Sequence, residues 1–289
     1  MGYEIIVCVK QVPDTENLTG EAMKADGTVN RAALPAIVNP EDLNALEMAL
    51  QIKERHGGRV TVLSMGPPGA VTALRECLYR GADAAVLLTD RRFAASDTLA
   101  TSYVLSCAVR TLPVPDLVLC GRQAIDGDTA QIGPQLAEKL GLPQFTYVEE
   151  VRELGDGAIV VKRALDHGYE VLRGRLPALL TVTSNANEPR PPSAKRLMKY
   201  KKARAAWELG DGSGPEALEA LRGRGLLIEQ WGADEIKCKV AACGGSGSPT
   251  RVKQIDFVRL QSAEHKSVEP TTDGLTALVE ELKEEHIFD

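Results

Sequence analysis

The fourteen residues from Gly121 to Pro134 gather the groups in this chain best suited to holding a polar ligand. Gly121 and Gly127 lack a Cβ, so a ligand can approach the main chain there. Arg122 offers a cation for phosphate, and Gln123 and Gln131 offer amide donors and acceptors. Asp126 and Asp128 would repel phosphate, which suits them to ribose hydroxyls or, with Thr129 as the alternative for Asp128, to capping the helix that follows. Phosphate is then left to backbone amides and Arg122. The loop is not a Walker sequence, because no Gly-Lys-Ser/Thr follows, and it is not the G-x-G-x-x-G fingerprint.

Other combinations point less clearly to chemistry. Cys238 and Cys243 have four residues between them and no second pair or nearby histidine, so they read as two thiols beside a loop rather than zinc ligands or a redox disulfide. His56, His167, His265 and His286 are dispersed and lie in no nucleophile motif. Hydrolase chemistry has only Asp126 and Asp128 behind it, and spaced loop acids are more often caps. The sequence shows a place to hold a nucleotide and no covalent catalyst.

The loop follows the apolar run Asp116 to Cys120 and leads into Gln135 to Leu140, a strand, glycine loop and helix in succession. The same pattern precedes it. Tyr3 to Val9 reads as a buried central strand. Asn39 is placed as N-cap, Pro40 at the first helical position, and Leu43, Leu46 and Leu50 share one face. Arg59 to Met65 and Ala84 to Leu88 are further strands, and Ser96-Asp97-Thr98 opens another helix. Residues 10 to 38 form a long connection, expected to turn at Asp26-Gly27.

Four strand-then-helix repeats imply an α/β fold with a doubly wound, Rossmann-like parallel sheet. Ligands of such sheets sit beyond the carboxyl ends of the strands. Those ends bring together Cys8-Val9-Lys10, Ser64-Met65-Gly66, Thr89-Asp90 and Gly121-Arg122-Gln123, with Thr98 at a neighbouring helix start.

After Pro143 the runs Phe145 to Val151, Ala158 to Ala164, Tyr169 to Arg175 and Leu179 to Thr183 suggest antiparallel strands added at the sheet edge, or a small second sheet. The basic stretch Lys195, Arg196, Lys199, Lys201, Lys202 and Arg204 reads as a solvated helix face rather than a docking surface for an acidic partner. Gly210 to Pro215 is a linker, Gly244 to Thr250 a flexible stretch, and Thr272-Asp273 the cap of a last amphipathic helix. We therefore expect a nucleotide-binding domain over 1–184, and a recognition loop, linker and extended C-terminal arm over 185–289.

The chain has 289 residues, 44% hydrophobic and 26% charged, and a formal charge of −6, which argues against a general nucleic-acid or anionic-membrane binder. No apolar run is long enough to span a bilayer and no signal peptide is evident, so no membrane insertion and a cytoplasmic location are expected. A universal-stress-like adenine-nucleotide module would satisfy the α/β pattern alone.

Several motifs narrow this. Val9-Lys10-Gln11-Val12-Pro13-Asp14-Thr15, Asn39-Pro40-Glu41-Asp42 with Ala45, Glu47, Ala49 and Leu50, Gly81-Ala82-Asp83, Gly121 to Pro134, Asn187-Glu188-Pro189-Arg190 and Gly247-Ser248-Pro249-Thr250 resemble the β subunit of electron-transfer flavoproteins, FixA-like members in particular. Arg163, Asp166, Gly168, Glu170 and Leu172, followed by Leu176-Pro177-Ala178, resemble the family's signature, with His167 where an acid or glycine is usual.

The resemblance implies a heterodimer with an α subunit that carries one FAD, and a second adenine nucleotide held by this chain. That nucleotide is AMP in the housekeeping branch and FAD in the electron-bifurcating branch. Lys10 to Thr15 and Gly127 to Gln131 look like the bifurcating type, which favours FAD, with AMP as the alternative. NADH would then be the electron donor. One electron would pass through the α-subunit FAD, and the other to ferredoxin or flavodoxin.

Carried over residue by residue, Cys8, Asn39, Asp42, Met65, Arg122, Gln123, Ala124, Ile125, Asp126, Gly127, Asp128, Thr129, Ala130 and Gln131 would line the nucleotide. Ala194 stands where the family places a leucine that anchors acyl-CoA dehydrogenases. The implied partner is accordingly a dehydrogenase, of that type or another, or a membrane-bound iron–sulfur oxidoreductase.

Overall fold

The computed structural model describes residues 2–14, 35–210, 214–250, 267–285 and 287. Contacts divide the chain into two compact units, Met1–Arg251 and Val252–Asp289.

The first unit is built on a ten-stranded sheet. Its strands are β1 (Tyr3–Cys8), β4 (Gly58–Met65), β5 (Ala84–Leu88), β6 (Leu117–Gly121), β7 (Gln144–Gly155), β8 (Ala158–Leu165), β9 (Gly168–Arg175), β10 (Ala178–Val182), β11 (Arg204–Ala205) and β12 (Leu227–Trp231), in the order β11-β12-β5-β4-β1-β6-β10-β7-β8-β9. A separate antiparallel ribbon joins β2 (Gln11–Pro13) to β3 (Ala36–Val38). The turn expected at Asp26-Gly27 lies outside the described residues.

From β11 through β7 every neighbouring pair is parallel, and only β8 and β9 are antiparallel additions. The run at Leu179 is therefore not an edge strand. β10 sits between β6 and β7, and all five of its residues are buried, as expected for a strand covered on both faces. The carboxyl-end region beyond residue 184 also returns to the sheet, because β12 pairs with β5 and extends it on the far side.

Helices cover both faces. α1 (Pro40–His56) and α2 (Val71–Arg80) pack with Val7, Val60, Val62 and Leu119, whereas α3 (Thr98–Thr111) and α4 (Ile132–Leu140) pack with Ile6, Leu63, Val118 and Leu179. Alternate strand residues thus feed two cores. Leu46, Leu50 and Leu74 are each almost inaccessible, and burying such a side chain contributes roughly 1.5–3 kcal/mol.

The connection order fixes where the sheet opens. From β1 the chain moves outward to β4 and β5 by way of α1 and α2. It then crosses back by way of α3 to place β6 on the other side of β1. The connections leave β1 and β6 in opposite directions, which is where such sheets present a crevice.

α1 is unusual in burying polar side chains along its length. Asn44 donates to the Asn187 carbonyl at 2.7 Å, and Asn187 donates back to the Asn44 carbonyl at 3.0 Å. Arg190 bonds both Glu47 oxygens, at 2.7 and 2.9 Å, and also Glu54. Burial pushes the Glu47 carboxyl up, but the Arg190 hydrogen bonds outweigh it and hold it below the usual carboxylate value.

Arg190→Met is expected to cost about 2 kcal/mol in urea denaturation at neutral pH, since it leaves Glu47 enclosed without a counter-charge. A depressed carboxylate stabilises the fold above its unfolded pKa and ceases to as pH falls through its folded value. The difference between wild type and Arg190→Met should shrink below about pH 4.

The basic stretch is only partly solvated. On α5 (Ala194–Tyr200) Arg196 turns inward to the Leu78 carbonyl at 2.8 Å and lies over the Tyr200 ring, while Lys195 and Lys199 stay exposed. Leu197 and Met198 are exposed beside them. α6 is Pro215–Gly223.

The stretch 244–250 is fastened. Ser248 Oγ accepts from Asp97 N at 2.8 Å, and the Thr250 hydroxyl donates to Asp97 at 2.6 Å, so the α3 cap residue holds this segment. In the second unit, α7 (Thr272–Glu284) is capped by Thr271, one residue before the expected cap, with its hydroxyl accepting from Gly274 N at 3.1 Å. Among the described residues no helix is long and apolar enough to cross a membrane.

Candidate functional site

The carboxyl ends of β5, β4, β1 and β6 lie side by side, so Asp90, then Ser64-Met65-Gly66, then Cys8-Val9-Lys10, then Gly121-Arg122-Gln123 follow one another along a single edge of the sheet. The first turn of α1 ties the last two together. Asp42 accepts from Lys10 N at 2.8 Å through one oxygen and from Gly121 N at 3.0 Å through the other. Glu41 accepts from Gln123 N at 2.9 Å and pairs with the Arg122 guanidinium at 3.2 Å.

Asn39 occupies the N-cap position but makes no side-chain cap. Its amide instead spans the gap to the loop, donating to the Gln123 carbonyl at 2.9 Å and accepting from Ile125 N at 3.1 Å. The backbone N–H of Asn39 bonds the Lys10 carbonyl at 2.9 Å. Across the mouth, Lys10 Nζ reaches Asp126 at 2.7 Å.

Burial pushes the Asp42 carboxyl up to about 7, although the Lys10, Asn39 and Gly121 hydrogen bonds pull the other way. Cys8 and Cys120 are neighbours in the sheet and buried, and their mutual hydrogen bond together with burial raises the Cys120 thiol. Both thiols belong to the core.

The loop itself has an exposed rim. Asp126, Gly127, Asp128, Thr129 and Gln131 are exposed, and Asp128 and Ala130 hold left-handed backbone at φ of 47° and 51°. Asp128 does not cap α4. It accepts from the Gln123 amide at 2.9 Å, and Gln131 takes the N-cap position without a side-chain cap.

The backbone N–H groups of Thr129, Ala130 and Gln131 have no acceptor among the described residues. N–H groups without an acceptor ahead of a helix start can serve as an anion site. A Cβ at Gly127 would meet nothing within 4 Å, so this rim is open. These features fit the phosphate and sugar of a nucleotide. From the α3 side, the Thr98 hydroxyl donates to the Gln131 amide oxygen at 2.8 Å, which fixes the start of α4.

Two of the expected residues have other surroundings: Asp90 has partners of its own, and Ser64 is enclosed in the sheet. Asp90 binds Arg92 at 2.6 Å and accepts from Ala233 N at 3.0 Å, and these bonds, led by Arg92, hold its carboxyl well below the usual range. Ser64 is fully buried, and its hydroxyl has no partner among the described residues. Ser64→Ala is expected to raise stability by about 1 kcal/mol in thermal or urea unfolding, because it removes an unpaired buried hydroxyl, and to leave ligand affinity unchanged.

Two residues that bear on the site were not legible as such. Glu41 reads as one of two acids in a helix's first turn, and Tyr147 as a strand residue, yet the Tyr147 ring lies 5.8 Å from the Arg122 guanidinium.

Residues 26–207 match the model of the electron transfer flavoprotein domain. The chain is 42% identical over 282 residues to the electron transfer flavoprotein subunit beta of Clostridium acetobutylicum, covering 98% of each chain. It is 43% identical over 258 residues to protein FixA of Azorhizobium caulinodans, covering 87% of this chain and 83% of that one. Subunit CarD of the caffeyl-CoA reductase-Etf complex of Acetobacterium woodii is 41% identical over 287 residues, covering 98% and 99%. With a domain match over more than half its length and relatives that align nearly end to end, this chain belongs to the electron transfer flavoprotein family as a β subunit.

Proposed function

We propose that this chain pairs with an electron transfer flavoprotein α subunit and holds an adenine nucleotide at the β1/β6 crevice. FAD is favoured over AMP, in service of electron bifurcation from NADH. The observation that carries the nucleotide site is that the N–H groups of Thr129 to Gln131 have no acceptor among the described residues, on a rim where Gly127 leaves open space. The choice of FAD rests on that openness, on the small residues Gly127 to Ala130, and on the likeness to a subunit of the caffeyl-CoA reductase-Etf complex.

A bound flavin would supply hydride acceptance and one-electron transfer. The protein's part is placement. The α4 N-terminus and Arg122 would neutralise phosphate, Asp126 and Asp128 would accept from sugar hydroxyls, and Asp42 with Asn39 would hold the two loops in register. Ferredoxin or flavodoxin would take the low-potential electron. A dehydrogenase would dock near α5, where Leu197 and Met198 are exposed, and residues 185–289 would carry the contacts to partners. A cytoplasmic location accords with this role.

Co-purification with the α subunit, followed by acid release and quantitation of cofactors, tests the reading. Two FAD per heterodimer, with bleaching of flavin absorbance on NADH titration, is the expected result. One FAD and one AMP would remove the bifurcating branch and leave the electron-transfer role intact.

A further inference from the structure

Tyr147 sits in a bulge of β7. Phe145 pairs with Leu180 and Val148 with Val182, so Thr146 and Tyr147 together face Thr181 alone. Tyr147 takes up the extra length with φ at 56°, left-handed backbone that a bulky residue rarely adopts and that recurs at functional sites. The bulge is pinned from both sides. The Thr181 hydroxyl accepts from Tyr147 N at 3.1 Å, and Arg163 donates to the Thr146 carbonyl at 2.8 Å and to its hydroxyl oxygen at 3.0 Å.

This strain aims a ring. Tyr147 remains 40% exposed, so its conformation is not imposed by packing the side chain into the core. Its ring centroid lies 5.8 Å from the Arg122 guanidinium, within cation–π range. Glu41 holds the same guanidinium at 3.2 Å. Arg122 is thus held between a carboxylate and an aromatic ring while 35% of its side chain faces solvent beside the loop.

We propose that Tyr147 is a positioning residue for ligand binding: it fixes the Arg122 guanidinium at the lip of the loop so that it meets the phosphate of an adenine nucleotide. A flexible arginine would lose rotamer freedom on binding, whereas one already restrained does not. The assignment rests on the reading of the crevice as a nucleotide site.

The test measures binding of AMP and of adenosine to the full chain in complex with its α subunit, after bound nucleotide is removed. The variants are Tyr147→Phe, Tyr147→Leu, Tyr147→Gly, Arg122→Met and the double variant Arg122→Met with Tyr147→Leu. Tyr147→Phe should keep the wild-type AMP affinity. Tyr147→Leu should weaken AMP binding about three- to tenfold and leave adenosine binding unchanged. Tyr147→Gly, which relaxes the backbone and removes the ring, should behave like Tyr147→Leu.

In the Arg122→Met background the Tyr147→Leu effect should vanish. Loss of AMP affinity in Arg122→Met with none in Tyr147→Leu or Tyr147→Gly overturns the role of Tyr147 alone. An effect of Tyr147→Leu that persists without Arg122, or that equally weakens adenosine, also overturns it. Unchanged AMP affinity in Arg122→Met removes phosphate binding by Arg122, and the assignment of Tyr147 falls with it.

Discussion

Gly121→Val is expected to abolish nucleotide retention and to destabilise the chain by about 3 kcal/mol, the upper end for overfilled interior sites. A Cβ at Gly121 would stand 2.5 Å from an Asp42 carboxylate oxygen and 2.8 Å from both the Asp42 nitrogen and the Glu41 carbonyl carbon. Two of those three are backbone atoms, so no rotamer change relieves the clash. α1 would have to retreat, yet Ala45, Leu46, Ala49 and Leu50 hold it in the core. Retreat would also pull Asp42 and Glu41 from Gly121 N and Gln123 N. Urea denaturation and nucleotide content after purification measure the two effects. Gly127→Ala, on the open rim, should change stability by less than about 1 kcal/mol. Equal behaviour of the two variants would show that close approach at Gly121 does not organise the loop.

Asp42→Ala is expected to cost about 4 kcal/mol and to loosen both loops at once. The substitution strips the partner from two backbone N–H groups, Lys10 and Gly121, and an unpaired buried donor costs about 1–3 kcal/mol. Asp42→Asn keeps one acceptor oxygen and turns an amide N–H₂ toward the other donor, so it should cost about half as much.

The pH dependence has a definite sign. Burial raises the Asp42 carboxyl to about 7 in the fold, above its ordinary value. Its contribution is therefore fully present below the unfolded pKa and is lost as pH rises toward the folded one. The stability advantage of wild type over Asp42→Asn should be greatest near pH 4 and fall as pH rises toward about 7, then level off. A difference that grows with pH over that window would mean that the N–H donors outweigh burial.

The parallel core and the loop at Gly121 were legible because their signals are local. β-branched apolar runs mark buried strands, and clustered glycine and polar residues mark the turn that follows one. The place of β10 was not legible. It follows two antiparallel strands in the chain, and only the register Ala178 with Leu117 reveals that the chain doubles back into the sheet. The role of Asn39 was half legible. Its position at the helix start follows from Pro40, but its bonds to Gln123 and Ile125 span more than eighty residues and are set by the sheet order. Tyr147 was hidden for a similar reason, since a bulge depends on the partner strand. Ser248 and Thr250 sit in a run of glycines that looks loose until Asp97 is brought opposite them.

The seventeen-residue rod α1 serves two clients. Its opening turn secures the ligand loop, and Asn44, Glu47 and Glu54, farther along, secure Asn187 and Arg190. A chimera that imports residues 187–200 from a distant relative must import those three side chains as well, or lose the graft's foundation. The same rod limits how far the two regions can diverge independently during evolution, because altering its inclination to suit one would misplace the other.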